Sequence, residues 1–177
     1  MKHLVSFEIE RIYCGWFDVC CSRNKDNTSS SDKIHFGASD VWGNDSPQIF
    51  LIMLTDILRN EEISGYVVFD EEPGTYIVCI EKGRTCKMEI LYSRLCSYEW
   101  EDLELSGNLK RKEIEKYIPI ADELWVEEDM DLKYFSKTVL RSFEEYEPKK
   151  ERQEYEEHWN TFPEKELKML REALEFI

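Results

Sequence analysis

Histidine is the scarcest chemistry-bearing residue in this 177-residue chain, which has only His3, His35 and His158. No two stand at H-x-x-x-H or H-E-x-x-H spacing, so a helix-borne zinc motif is excluded and each reads as a surface or cap residue. Glycine and proline are few, at seven and five, which leaves no room for long structureless linkers. Neither G-x-x-x-x-G-K-[ST] nor G-x-G-x-x-G occurs. Gly15, Gly37, Gly43 and Gly65 are isolated and read as turns or strand ends. No C-x-x-C spacing links Cys14, Cys20, Cys21, Cys79, Cys86 and Cys96, so they are expected as reduced thiols, mostly buried as small hydrophobes. Cys20 and Cys21 are neighbours, so at most one faces the core, and no base stands beside the other to activate it. Ile49–Leu54 is the longest apolar run, far short of the roughly 20 residues of a membrane span. Met1–Glu10 carries acids where a signal peptide needs apolar residues. These absences predict a soluble, cytoplasmic protein without membrane, metal or cofactor.

Positive charge is also short, with 23 Lys and Arg against 38 Asp and Glu and a formal net charge of -15. Such a surface repels phosphate, which disfavours nucleic acid and anionic membranes. A basic protein is the natural complement. Hydrophobic residues nevertheless make up 42%, including nine Phe, nine Tyr and five Trp, too many for a disordered acidic tail. The length fits a single domain, residues 1–177, able to bury roughly 70% of its unfolded surface.

Periodicity gives the elements. Val5, Phe7 and Ile9 alternate with Leu4, Ser6, Glu8 and Glu10, as in a half-buried strand. Gly15–Arg23 repeats the pattern after a Tyr13-Cys14-Gly15 corner, where glycine supplies the permissive backbone. A polar loop over Ser22–Asp32 leads to a third strand at Lys33–Ala38. Asp45-Ser46-Pro47 opens a helix, with a hydroxyl at the cap and proline at the first position. That helix, Gln48–Leu58, is apolar on nearly every side. Gly65–Asp70, Thr75–Glu81 and Thr85–Tyr92 read as three more strands. Ser93–Lys110 is a seventh strand or an irregular crossing, Lys112–Tyr117 a helical turn, and Glu123–Val126 a short strand. Leu132, Phe135, Val139, Leu140 and Phe143 mark a helix ended by Pro148. Glu151–Trp159 is short and charged. Thr161-Phe-Pro-Glu164 has capping-box spacing before a last helix with an apolar stripe of Leu167, Leu170, Leu174 and Ile177. The expected fold is α+β: one mostly antiparallel sheet, β-β-β-α-β-β-β, with C-terminal helices packed on one face.

Four short motifs punctuate this order: Gly15-Trp16-Phe17, Asp45-Ser46-Pro47, Glu71-Glu72-Pro73-Gly74-x-Tyr76 and Trp159-x-x-Phe162-Pro163. In their order the chain resembles an uncharacterised group of bacterial cytoplasmic proteins. That resemblance implies an α+β fold and no assigned activity or catalytic residues. In size and charge alone the chain is also similar to immunity proteins that neutralise basic toxin domains.

Two constellations carry chemistry. Asp70, Glu71 and Glu72 lie where a strand enters a turn, and paired carboxylates there suit a cation or acid–base work. A solvated turn explains them as simply. A nuclease pattern also needs an acid and a lysine two apart, and the adjacent Glu81 and Lys82 face opposite ways. The acidic stretches Glu99–Glu104 and Trp125–Asp131 are, in the plain reading, solvated faces and a favourable helix start. In the functional reading they are a patch in which an aromatic anchor is ringed by acids, formed by Trp100, Trp125, Glu127, Glu128 and Asp129. Trp42 and Trp159 fit the core equally well. The leading expectation is a non-enzymatic acidic binding protein, in the manner of an immunity or antitoxin-like inhibitor of a basic partner. The alternatives are a hydrolase or metal-dependent enzyme using Asp70, Glu71 and Glu72, and a structural or oligomerisation module.

Overall fold

Alternation in the first strand, β1 (Val5–Tyr13), sets the inner face of the first sheet: Val5, Phe7 and Ile9 are buried while Glu8 and Glu10 are exposed. The computed structural model describes residues 3–24, 31–40, 45–71, 73–100, 102–146 and 149–176. Trp42, Gly43, Glu72, Glu101, Pro148, Ile177 and most of the polar loop after Ser22 lie outside these. Strand β1 pairs antiparallel with β2 (Trp16–Asn24), and β2 with β3 (Ser31–Ser39). The β1–β2 turn is Cys14-Gly15, with φ of 45° and 80°. Two successive left-handed residues match the strand twist, and glycine takes the second at no steric cost. Ile9 pairs with Val19 and Arg11 with Asp18. Glu10 is therefore an extra residue in β1, a bulge that realigns the alternation so that Ile12 again packs on the core.

Helix α1 (Ser46–Arg59) follows. Its cap is Asp45, whose carboxylate accepts from the Gln48 amide at 3.3 Å, whereas the sequence pointed to the Ser46 hydroxyl. Ser46 is instead buried as the first helical residue. Phe50, Leu51, Leu54, Ile57 and Leu58 are all buried, each worth about 1.5–3 kcal/mol relative to exposure.

The second sheet has the order β7-β4-β5-β6-β8, all neighbours antiparallel. Its long strands are β4 (Ser64–Glu71), β5 (Gly74–Lys82) and β6 (Cys86–Ser93). The strands thus form two sheets, of three and five, where one sheet was expected. Ser93–Lys110 is mostly an irregular crossing: a 3-10 turn at Ser97–Glu99 and only a two-residue strand, β7 (Ser106–Gly107). Helix α2 (Arg111–Ile114) and edge strand β8 (Asp122–Glu127) complete this half. The crossing wraps the far face of the second sheet, where Tyr66, Val68, Ile77, Cys79 and Leu91 pack with Ile114 and Ile118. Both faces of β4 are therefore covered, which explains its nearly unbroken burial.

Three helices close the chain: α3 (Leu132–Glu144), α4 (Lys149–His158) and α5 (Glu164–Glu175). Asp131 caps α3 by accepting from the Tyr134 amide at 2.9 Å. Leu132, Phe135, Val139, Leu140 and Phe143 are buried, as their spacing predicts. The Thr161–Glu164 capping box does not form. Pro163 is the cap of α5, without a side-chain bond, and Glu164 pairs with Arg152 of α4. One core cluster joins the inner faces of both sheets to α1, α3 and α5, drawing on residues from Val5 to Leu174.

Helix α3 also closes an open edge. The outward amides of Phe7 and Ile9 donate to Thr138 Oγ1 at 2.9 Å and Ser142 Oγ at 2.7 Å. The two hydroxyls are one helical turn apart and match the two-residue step of the strand. Ser142→Ala leaves the buried Ile9 amide without its partner, so urea unfolding should show a loss of about 1–3 kcal/mol. Thr138→Ser, which keeps its hydroxyl, should cost less.

Candidate functional site

The five residues read as a patch are not brought together. Alternation along β8 turns Trp125 and Glu127 inward, 5% and 2% exposed, while Leu124 and Glu128 face out. Trp125 belongs to the main core. Trp100 is half-buried against the cluster on the other face of the second sheet. Asp129 is half-buried, and its carbonyl accepts from the His3 amide at 2.7 Å. Trp125 and Glu127 therefore offer no surface to a partner. Their flanking acids hid the period-2 signal that sends both to the inner face.

Glu127 is instead the buried hub of an ionic cluster whose other members reach the surface. The His3 ring lies 2.6 Å from Oε1, and Arg23 Nη1 donates to Oε2 at 3.2 Å. The same guanidinium donates to Asp32 and to the Val126 carbonyl, and lies over the Trp125 ring at 5.5 Å. Burial alone pushes the Glu127 carboxyl up. Hydrogen bonds from His3, Arg23 and the Asp129 amide outweigh it and hold the group below its ordinary value. The cluster ties β2 of one sheet to β8 of the other.

Asp70 and Glu71 are adjacent in β4 and so face opposite ways. Asp70 is buried and accepts from Thr75 Oγ1 at 2.9 Å, from the Ser97 amide at 3.0 Å and from the Ser97 hydroxyl. It pins the start of the crossing. Glu71 turns towards the first sheet and takes the Gly37 amide. Burial raises its carboxyl above the ordinary value despite that bond. A paired-carboxylate site is not assembled by these two, and Glu72 lies outside the described residues.

Three of the four sequence motifs meet at one corner. The Gly15 amide donates to the His158 carbonyl at 2.8 Å, the Phe17 ring lies 5.4 Å from Trp159, tilted by 59°, and Trp159 Nε1 donates to Asp45 at 3.3 Å. In the fourth, Gly74 lies beneath the Tyr92 ring, where a Cβ would collide. Their work is packing.

The groups with chemical character converge on the outer side of the first sheet. A cleft of about 480 Å³ is lined by Glu10, Arg11, Tyr13, Trp16, Asp18, His35 and Glu71. The bulge places Glu10 and Arg11 side by side there. Arg11 donates twice to Asp18, at 2.7 and 3.0 Å, and the His35 ring lies 2.9 Å from Glu10. Cys20 is directly across the ladder from His35 and from Glu8. Burial, then Glu10 and Glu8, push its thiol up against the pull of Lys33. Register alone brings these together. In sequence, Cys20 had no histidine near it.

No family model, curated protein or solved structure matches the chain.

The Glu127 cluster sets an acid limit on stability. A carboxyl held below its ordinary value contributes fully above that value and loses the contribution as pH falls through the folded pKa. The stability advantage of the wild type over Glu127→Gln, measured by urea unfolding, should be full at pH 7 and shrink below pH 4.5, the ordinary glutamate value. Arg23→Met, which leaves the buried carboxylate only His3 and the Asp129 amide, should cost about 1–3 kcal/mol at pH 7. Arg23→Met with Glu127→Leu should recover much of that loss.

Proposed function

We propose that this chain is a non-enzymatic acidic binding protein that acts in the cytoplasm and covers a basic site on a protein partner, as an immunity or antitoxin-like inhibitor does. The reading rests on how negative charge is distributed. Residues 98–177 hold 13 basic and 23 acidic side chains, so two thirds of the excess lies in the C-terminal part. Asp122–Asp131 carries six acids and no base. The bases around this segment are each divided among several acids. Lys87 meets Glu89 and Glu128, Arg111 meets Glu89, Glu115 and Glu123, and Arg23 meets Asp32 and Glu127.

The surface around β8 therefore keeps a surplus of carboxylates. Its exposed groups are Asp122, Glu123 and Glu128, beside an exposed Leu124. Such a field steers a basic partner and fixes its register more than it adds raw affinity. Its reach is about 8 Å at physiological ionic strength. The six free thiols suit a reducing compartment, and no helix among the described residues is long and apolar enough to cross a membrane.

The test reverses charge where it does not disturb the core. Asp122 and Glu128 are exposed, so Asp122→Lys with Glu128→Lys should fold normally by circular dichroism. Affinity capture from native lysate at low salt should yield a basic protein that the double variant fails to retain and that high salt releases. Equal capture by both proteins, insensitive to salt, overturns the reading.

A further inference from the structure

We propose that Glu10, Cys20 and His35 form a binding site for a single zinc-like divalent cation on the outer side of the first sheet. The ligand atoms of the three residues all lie within 4.8 Å of one another. Two atoms bound tetrahedrally to one zinc ion stand about 3.5 Å apart, so small side-chain rotations bring all three into range. The His35 ring is already 2.9 Å from Glu10.

Two ladder registers make the juxtaposition. The β2–β3 register sets Cys20 opposite His35. The β1–β2 register sets Glu8 on the other side of Cys20, and Glu10, two residues on, faces the same outer side by plain alternation.

The donor set selects the metal. One thiolate, one imidazole and one carboxylate suit zinc or cobalt, whereas magnesium and calcium require mainly oxygen. Cys20 is 3% exposed, yet it stands opposite the inward Phe17, Val19 and Cys21, among charged neighbours. Burial, then Glu10 and Glu8, disfavour a bare thiolate there, and a bound cation offsets that penalty. On coordination the thiol proton passes to solvent. Three protein ligands leave a fourth position for water, and two of the three, Glu10 and His35, also line the adjoining cleft. The site is independent of the acidic surface around β8, so either reading can fail without the other.

Cobalt(II) is the direct probe, because a cysteine thiolate gives it a charge-transfer absorption in the near ultraviolet. Titration of the full chain with cobalt should raise this band to one equivalent, and zinc should abolish it by displacement. Cys20→Ser should lose the band, while Cys14→Ser and Cys86→Ser keep it. His35 is exposed, so His35→Ala leaves the fold intact and should weaken zinc binding by at least about tenfold in calorimetry, as losses beyond the ligand shell already reach 10- to 100-fold. Glu10→Gln should weaken it in the same direction. Absence of the band in wild type, its survival in Cys20→Ser, or unchanged zinc affinity in His35→Ala overturns the proposal.

Discussion

The Phe50 ring lies 5.7 Å from Phe7, 6.0 Å from Phe69 and 6.2 Å from Phe135. Those four rings belong to α1, β1, β4 and α3, so a single side chain joins both sheets to the helical layer. The arrangement follows from the composition of α1. A helix apolar on nearly every side must be covered on nearly every side. A sheet and one helix cannot do that alone, so the second sheet and the C-terminal helices are drawn onto it. Edge-to-face aromatic pairs add about 0.5–1.5 kcal/mol each beyond the area they bury, and they fix the rings at a definite angle.

Around this core, charge acts as fastening. Glu127 holds His3 and Arg23, and Glu71 holds the Gly37 amide, so the two sheets are joined at two separate seams. Asp70 secures the crossing through Thr75 and Ser97. Glu89, 2% exposed, is held by Lys87 and Arg111. Buried carboxylates are tolerated only with such partners. The acidity of the chain thus has two parts: a few inward groups that organise the fold, and the larger outward remainder that sets its field.

Local signals carried much of the fold. The Tyr13-Cys14-Gly15 corner, the Asp45-Ser46-Pro47 helix start and the Leu132–Phe143 stripe are readable because each depends on residues within a few positions. The division into two sheets was not readable. Alternation tells which face of a strand is buried, and says nothing of which edge meets which. Trp125 shows the same limit from the other side, since a tryptophan among acids reads as an exposed anchor until the phase of β8 is known. Thr161 does not cap because α5 begins only at Glu164, with Pro163 in the cap position and Glu164 turned to Arg152. Glu10, Cys20 and His35 are separated by 10 and 15 positions, and only strand register makes them neighbours.

The hydroxyls that close the edge of β1 sit 131 and 133 residues downstream of the amides they serve. During synthesis at roughly 5–20 residues per second, the first strand waits on the order of ten seconds for the helix that covers it. Throughout that interval its outward amides are open to any other extended chain. The acids at Glu8 and Glu10, set along that bare strand, are charges of a kind that discourages such pairing. The strand is thus sealed long after it is made, and its exposed carboxylates guard it while it waits.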